Sequence, residues 1–111
     1  MKKALLVTDV SHTFMPWGKL AVKDSHLILP GVNAKVRSGE YDVIVAFQDW
    51  HPKNHESFET WGEHAVMNTW DGELLFDTGP VDAIFRKGRD MSQFTVRTLG
   101  CSIDSKCPVF S

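Results

Sequence analysis

The chain has 111 residues, and its 12 Lys and Arg stand against 14 Asp and Glu, a formal net charge of −2. This length suits one domain with one hydrophobic core and excludes a second domain of ordinary size. The near-neutral balance excludes a general electrostatic attraction to nucleic acid or acidic membranes, so partners must be inferred from particular sites.

Three apolar, β-branched runs stand out along the chain. They are KALLVTDV near residues 2–9, YDVIVAFQDW at 41–50 and VDAIFRKG at 81–88. The first follows two lysines but is interrupted by Asp9, so we interpret it as a strand and not as a secretion signal. Continuous apolar character without strict alternation is typical of strands that are buried on both faces of a parallel sheet. The sequence therefore predicts an α/β fold with a partial Rossmann-like parallel sheet, of which three strands are recognisable.

A crossover helix is predicted between the first two strands, in DSHLILPGVNAKVRSGE. Leu29, Val32 and Val36 fall on one helical face, and Gly39 follows where a left-handed helix terminator belongs. We expect the regular helix to start near Pro30, because the missing N–H of a proline costs little in the first turn. Strand, helix and strand then form a βαβ unit.

Charged residues close each of the three predicted strands. Asp9 ends the first, Asp49 the second, and Arg86 with Lys87 the third. In open α/β sheets the ligand site lies outside the carboxyl ends of the strands. We therefore expect these charges to converge on one site, although strands also stop at polar residues for no functional reason.

The end of the second predicted strand is a candidate metal site. Asp49 and His51 are two residues apart, and alternate residues of an extended chain point to the same face. A third ligand must come from farther along, with His64 and His55 as the candidates. One carboxylate and two imidazoles leave coordination positions open, which suits a functional zinc, iron or manganese site. In the alternative interpretation, His55 and His64 are surface loop residues and Asp49 caps a turn.

Four ordered motifs resemble those of nicotinamidases and pyrazinamidases, members of the isochorismatase-like cysteine hydrolase family. They are DVSHTFMPWGKLAV, QDWHPKNHESF, WGEH and VDAIFRKGRD, in that order along the chain. The resemblance covers residues 3 to about 90. It implies that residues 1–90 are the N-terminal part of an isochorismatase-like hydrolase domain and that residues 91–111 form an atypical C-terminal tail.

The resemblance implies a catalytic role for two residues and metal ligation by three more. Asp9 and Lys87 match the acidic and basic members of a Cys/Asp/Lys triad. Asp49, His51 and His64 match the ligands of a divalent metal ion, for which we expect zinc, with iron or manganese as alternatives.

The resemblance also implies a substrate, nicotinamide, which such enzymes convert to nicotinate and ammonia in NAD salvage. Phe14 and Trp61 match the residues that flank its flat pyridine ring. His55 matches a position that is a metal ligand in only some relatives, so we treat it as a reserve candidate for a metal ligand.

The nucleophile of the family is a Cys that follows a fourth strand, well beyond the catalytic lysine. Here the chain ends 24 residues after Lys87, and Cys101 and Cys107 follow that lysine by 14 and 20 residues. No apolar strand leads into either cysteine, so we expect a truncated nicotinamidase without the nucleophile. The alternatives are a non-catalytic metal- or ligand-binding protein and an α/β fragment whose histidines have no function.

Cysteine usage and hydropathy predict the compartment. The two cysteines form neither a CxxC pair nor a framework across the chain, which suits a reducing cytosol. No apolar run approaches the roughly 18 residues that a membrane span needs. We therefore predict a soluble cytoplasmic protein with a small-molecule partner, no nucleic-acid or membrane partner, and a homo-oligomer as one way to cover open sheet edges.

Overall fold

A computed structural model describes residues 2–89 of the chain. In this part, three parallel strands form one sheet: β1 (Ala4–Thr8), β2 (Val43–Asp49) and β3 (Ala83–Lys87). The strand order is β1-β2-β3, so β2 is central. The predicted α/β fold with a three-stranded parallel sheet is confirmed. The ambiguous segment MSQFTVRTLG and both cysteines lie outside the described residues.

The crossover helix α1 (Leu29–Arg37) connects β1 to β2, and Pro30 lies in its first turn as predicted. Val36 is buried in the same apolar cluster as Val7 of β1, and Leu29 and Val32 pack against that cluster. The predicted apolar face of α1 is therefore the face that covers the sheet, and its burial removes apolar surface from water.

The prediction that all three strands are buried on both faces is wrong for β1. Val7 is buried, but the neighbouring Leu6 is 61% exposed, and Ala4 and Thr8 are exposed as well. Alternate residues of a strand face opposite sides of the sheet, and α1 covers only one of them. The central strand β2 fits the prediction better, because all four residues from Ala46 to Asp49 are buried.

The long segment between β2 and β3 folds back over the carboxyl edge of the sheet. It contains a short helix α2 (Phe58–Trp61) and a single 3-10 turn at Trp70–Gly72. Two isolated bridges attach it, one from His51 to Val66 and one from Ser11 to Leu74. This segment therefore covers the carboxyl ends of the strands.

Among residues 2–89, no helix combines the length and apolar character needed to cross a membrane.

Candidate active site

The charged ends of the three strands meet at the carboxyl edge of the sheet. Lys87, the last residue of β3, pairs in register with Asp49, the last residue of β2. The Lys87 Nζ lies 3.4 Å from Asp49 Oδ1 and 2.9 Å from Oδ1 of Asp9, which directly follows β1. Lys87 is only 5% exposed. A buried ammonium is thus shared between two carboxylates, one at the end of the neighbouring strand β2 and one directly after β1.

Asp9 is directed to this lysine by an unusual backbone conformation. Its amide still donates a hydrogen bond to the Phe47 carbonyl, at 3.2 Å, yet its φ is +62°. A non-glycine residue rarely adopts such a φ, and these conformations concentrate at functional sites. The chain therefore leaves the strand direction of β1 at this residue, and the Asp9 carboxylate faces Lys87.

On its other side, the Asp49 carboxylate faces two histidines. Asp49 Oδ2 lies 3.6 Å from His51 Nε2 and 3.8 Å from His64 Nε2. The Nδ1 atom of His51 is 2.8 Å from the Gly88 carbonyl oxygen, and that of His64 is 2.8 Å from the Gly62 carbonyl oxygen. A carbonyl can only accept, so each Nδ1 donates a hydrogen bond and each Nε2 is the ring nitrogen that faces Asp49.

These three side chains fit a divalent metal ion. One ligand atom from each of Asp49, His51 and His64 lies within 4.8 Å of the others, and all three residues are buried. His51 Nε2 is a buried ring nitrogen that has no hydrogen-bond partner among the described residues. Leaving such an atom unsatisfied is costly. A cation between the three atoms would satisfy it, and the carbonyls behind the rings orient them as outer-shell partners do in metal sites.

The interpretation of His55 and His64 as surface loop residues is wrong, because both are buried. The ring of Phe58, at the start of α2, packs edge-on against His64 and holds this loop inward, with 5.4 Å between ring centroids. His55 stacks on His51 at 4.2 Å, and its Nδ1 lies 2.7 Å from Ser57 Oγ. It is not a member of the three-residue group that could share an ion.

A cavity of about 230 Å³ opens directly onto these charged groups. Phe14 and Trp61, the two residues predicted to flank a substrate ring, both line it. Leu20 lines it too and was not among the predicted residues, although it lies in the MPWGKLAV part of the first motif. The full lining is Asp9, Phe14, Leu20, Asp49, Trp61, His64 and Lys87. A second hollow of about 280 Å³ beside β1 is mainly apolar and contains none of these charged groups.

Opposing effects set the pKa values of the two central ionisable groups. Burial alone would raise the pKa of Asp49, but His51, Lys87 and His64 together lower it below its ordinary value. Burial alone would lower the pKa of Lys87, but Asp49 and Asp9 together raise it. Both net shifts favour the charged forms, so a carboxylate and an ammonium coexist in the site at neutral pH.

The lowered pKa of Asp49 predicts a pH-dependent stability in the chelator-treated chain. A group with a depressed folded-state pKa contributes stability above its unfolded pKa, and that contribution is lost as the pH falls through the folded value, here below about 4. We expect Asp49→Asn to lower the free energy of unfolding near neutral pH and to have a smaller effect at about pH 3, below the ordinary pKa of an aspartate. Urea unfolding at both pH values measures the difference. A difference of constant size would contradict the assignment.

Two glycines with positive φ, Gly62 and Gly88, supply the carbonyls that accept from His64 and His51. Gly62 has φ +79° and ψ +166°, a region that is almost restricted to glycine. We expect Gly62→Ala to cost about 1–3 kcal/mol of unfolding free energy and to weaken metal binding, because it disturbs the acceptor of His64 Nδ1.

Gly31→Ala is the matched control for this substitution. Gly31 lies in α1, where an added Cβ would meet nothing within 4 Å. There alanine should stabilise the helix by about 0.5–1 kcal/mol and leave metal binding unchanged. Urea unfolding and metal titration of both variants test the pair, and equal effects of the two substitutions would refute the role of Gly62.

Known proteins with similar sequences and structures include nicotinamidases and a pyrazinamidase. A nicotinamidase of Acinetobacter baylyi is 36% identical over 107 residues, a match that includes 77% of this chain and 49% of that protein. PnC1 from L. infantum, solved in complex with nicotinate, has a TM-score of 0.78 and 34% identity over 82% of this chain and 50% of its own. The pyrazinamidase of Pyrococcus horikoshii, solved in complex with zinc, has the same TM-score and identity over 85% and 56%. No family model matches the chain.

Fold and comparisons together define an α/β protein of the isochorismatase-like hydrolase type. The chain belongs to the nicotinamidase/isochorismatase-like family, which confirms the resemblance seen in its motifs. It spans about half the length of the curated relatives it matches, from 49% to 52% of each.

Proposed function

We propose that this chain derives from, and carries the metal- and substrate-binding half of, a nicotinamidase-type amide hydrolase that converts nicotinamide to nicotinate and ammonia. The observation that carries the proposal is the position of Asp49. One of its oxygens faces Lys87, and the other faces His51 and His64. A single buried carboxylate thus joins a group suited to charge stabilisation to a group suited to metal binding, beside one cavity.

The proposed metal site consists of Asp49, His51 and His64, with zinc as the proposed ion and iron or manganese as alternatives. A carboxylate and two imidazoles form a set that all three ions accept, and they leave positions open for water or a ligand. The zinc complex of the relative from Pyrococcus horikoshii supports the first choice. When bound, the ion would act as a Lewis acid and orient the substrate.

The proposed substrate is flat, and the cavity has aromatic and apolar walls that suit it. Phe14 and Leu20 line the cavity, and so does Trp61, the last residue of α2. A pyridine ring has two apolar faces, so such side chains can hold it by stacking and burial. Its carboxamide would then extend toward Asp9 and Lys87. The nicotinate complex of the similar protein from L. infantum supports this choice of ligand.

In the proposed reaction, a thiol loses its proton to Asp9 and attacks the carboxamide carbon. The C–N bond breaks, ammonia leaves with the proton held by Asp9, and water hydrolyses the thioester to release nicotinate and restore the thiol. Lys87 stabilises the negative charge that Asp9 carries before it takes the thiol proton and after it gives that proton to ammonia. The described residues contain no cysteine, so the thiol must come from elsewhere, and Cys101 and Cys107 are the two in this chain.

That observation favours a second candidate function, a binding protein that retains the metal site without catalysis. Residues 2–89 contain the complete Asp–His–His group and the substrate cavity but no nucleophilic thiol. Such a protein would bind a divalent ion and a pyridine carboxylate or carboxamide and release no product.

Ammonia release separates the two candidates. The zinc-loaded 111-residue chain is incubated with nicotinamide, beside a Cys101→Ala, Cys107→Ala double variant, while calorimetry measures nicotinate binding to both. Release by the parent chain alone establishes a hydrolase that uses one of these thiols. Binding without release supports the second candidate. Absence of both metal and nicotinate binding rejects both candidates and leaves the interpretation as a fragment without a functional site.

The remaining proposals concern the cell and not the site. We propose a cytoplasmic location and a role in NAD salvage, which follow from the cysteine pattern and the proposed reaction.

A homo-oligomer is proposed because Leu6 leaves an exposed apolar side chain on β1, at an edge of the described sheet. Sedimentation at several concentrations tests the assembly, and an unchanged monomer mass at all of them would reject it.

A further inference from the structure

Asp71 is a buried carboxylate that none of the roles above uses. It lies in the single turn Trp70–Gly72 and is 9% exposed. Its Oδ1 accepts a hydrogen bond from the Lys19 amide at 3.1 Å, and its Oδ2 accepts one from the Ala65 amide at 2.9 Å. Both partners are main-chain donors, and they belong to two segments that are far apart in the sequence.

The bond to Ala65 acts on a metal-ligand candidate. Ala65 directly follows His64, is fully buried and has φ +47°, which is unfavourable for a residue with a Cβ. Its amide donates to Asp71, and its carbonyl accepts from the His51 amide at 2.9 Å. Ala65 is therefore fixed at both its amide and its carbonyl. The backbone at Ala65 in turn sets the direction in which the side chain of the preceding residue, His64, projects.

The bond to Lys19 acts on another part of the cavity wall, the segment that contains Phe14 and Leu20. Lys19 precedes Leu20, whose amide donates to the Thr13 carbonyl at 2.9 Å, so the Phe14 and Leu20 segment is folded on itself. Asp71 therefore joins the wall that contains Phe14 and Leu20 to the segment that contains His64. On the surface, the Lys19 ammonium also contacts Glu63 at 2.9 Å, but both side chains are more than half exposed, and such pairs are weak.

We infer that Asp71 is a positioning residue that holds these two parts of the cavity wall together and thereby orients His64 for metal binding. A carboxylate suits this position because both partners are donors, and an amide side chain could accept from only one of them. The inference rests on the proposed metal site in so far as His64 is a ligand, whereas the connection between the two parts is independent of any metal.

The test compares Asp71→Asn and Asp71→Ala with Asp77→Asn. Asp77 is a matched control, because it also accepts from two groups, the Arg37 Nε at 2.9 Å and the Gly79 amide at 3.1 Å, outside the candidate site. Amide hydrogen exchange followed by NMR reports the bonds at Lys19 and Ala65. Titration with Co²⁺, with its visible spectrum as a readout, reports the affinity and geometry of the metal site.

We expect Asp71→Asn to accelerate amide exchange at Lys19 or Ala65 and Asp71→Ala to accelerate it at both. We also expect Asp71→Asn to weaken Co²⁺ binding by about tenfold, the lower end for outer-shell partners of metal sites, and to alter the cobalt spectrum. Asp77→Asn should lower the unfolding midpoint in urea and leave the cobalt affinity and spectrum unchanged.

The outcomes separate this inference from the proposed function. Unchanged exchange in both Asp71 variants overturns the connection between the two parts of the wall. Faster exchange with unchanged cobalt affinity and spectrum overturns the positioning of His64. If the parent chain binds no Co²⁺, the proposed metal site is rejected together with the role of Asp71 in orienting a ligand, while the exchange data still decide whether Asp71 joins the two parts of the wall. If Asp71→Ala does not fold, Asp71→Asn carries the test.

Discussion

Replacement of Asp49 with alanine is expected to abolish tight binding of a divalent ion and to destabilise the chelator-treated chain. Asp49 is 2% exposed, contributes one of the three candidate ligand atoms and faces the buried Lys87. Loss of outer-shell partners alone costs about 10–100-fold in metal affinity, and loss of a ligand should cost at least about 100-fold. Metal titration by calorimetry measures the effect.

The stability effect of Asp49→Ala follows from the lysine that it leaves behind. Removing one partner of a buried ion pair costs about 3–5 kcal/mol, because a buried charge loses its compensation. We expect about 3 kcal/mol, the lower end of that range, since Lys87 retains Asp9, whose side chain is 45% exposed. Urea unfolding in the presence of a chelator measures this loss.

Asp9→Ala is the matched control for Asp49→Ala. It removes a carboxylate of the same lysine that is not a member of the candidate metal group. Metal affinity should therefore be retained in Asp9→Ala. Equal loss of affinity in the two variants would contradict the division of roles between the carboxylates.

Replacement of Lys87 with methionine, unlike replacement of Asp49 with alanine, should not weaken metal binding. The ammonium lies 3.4 Å from the ligand carboxylate of Asp49 and competes with any cation for its charge. Its loss should leave the metal affinity unchanged or increase it. In the chelator-treated chain the buried Asp49 loses its lysine partner, so we expect a loss of about 3 kcal/mol in unfolding free energy. Metal should restore part of that loss, because a ligand that binds only the folded state stabilises it.

Calorimetry and urea unfolding, with and without zinc, measure both parts of the Lys87 prediction. Lys35→Met is the control, because Lys35 is exposed on α1 and is not part of the lining of the candidate site. It should change neither quantity. If Lys87→Met lost metal as completely as Asp49→Ala, the lysine would be organising the ligands, and the separation of an ammonium side from a metal side would be rejected.

The positions of the charged strand ends could be predicted because they follow from local pattern and one rule of topology. Apolar runs located the three strands, and parallel strands of one sheet bring their carboxyl ends to the same edge. Asp9, Asp49 and Lys87 therefore had to lie near one another once the sheet was parallel. The alternation of an extended chain also favoured His51 as a neighbour of Asp49.

The third member of the metal group could not be chosen from local pattern, and only the family resemblance selected His64. His55 and His64 lie in the same loop, and no local pattern shows which of them returns to the strand end. The packing of Phe58 against His64 and the bridge between His51 and Val66 bring His64 to the site. His55 stacks on His51 and is not a member of the group. The packing contact and the bridge span 6 and 15 residues, and they decide the choice.

The amino-acid sequence by itself determined the parallel α/β sheet, the covering face of α1 and the family, because periodicity and ordered motifs are properties of neighbouring residues. Only the tertiary structure decided the carbonyl partner of His51, the place of Leu20 in the cavity wall and the two bonds of Asp71. These depend on where a carbonyl, an amide or a side chain from a distant segment stops, and such distances are set by the packing of the whole chain and not by spacing along it.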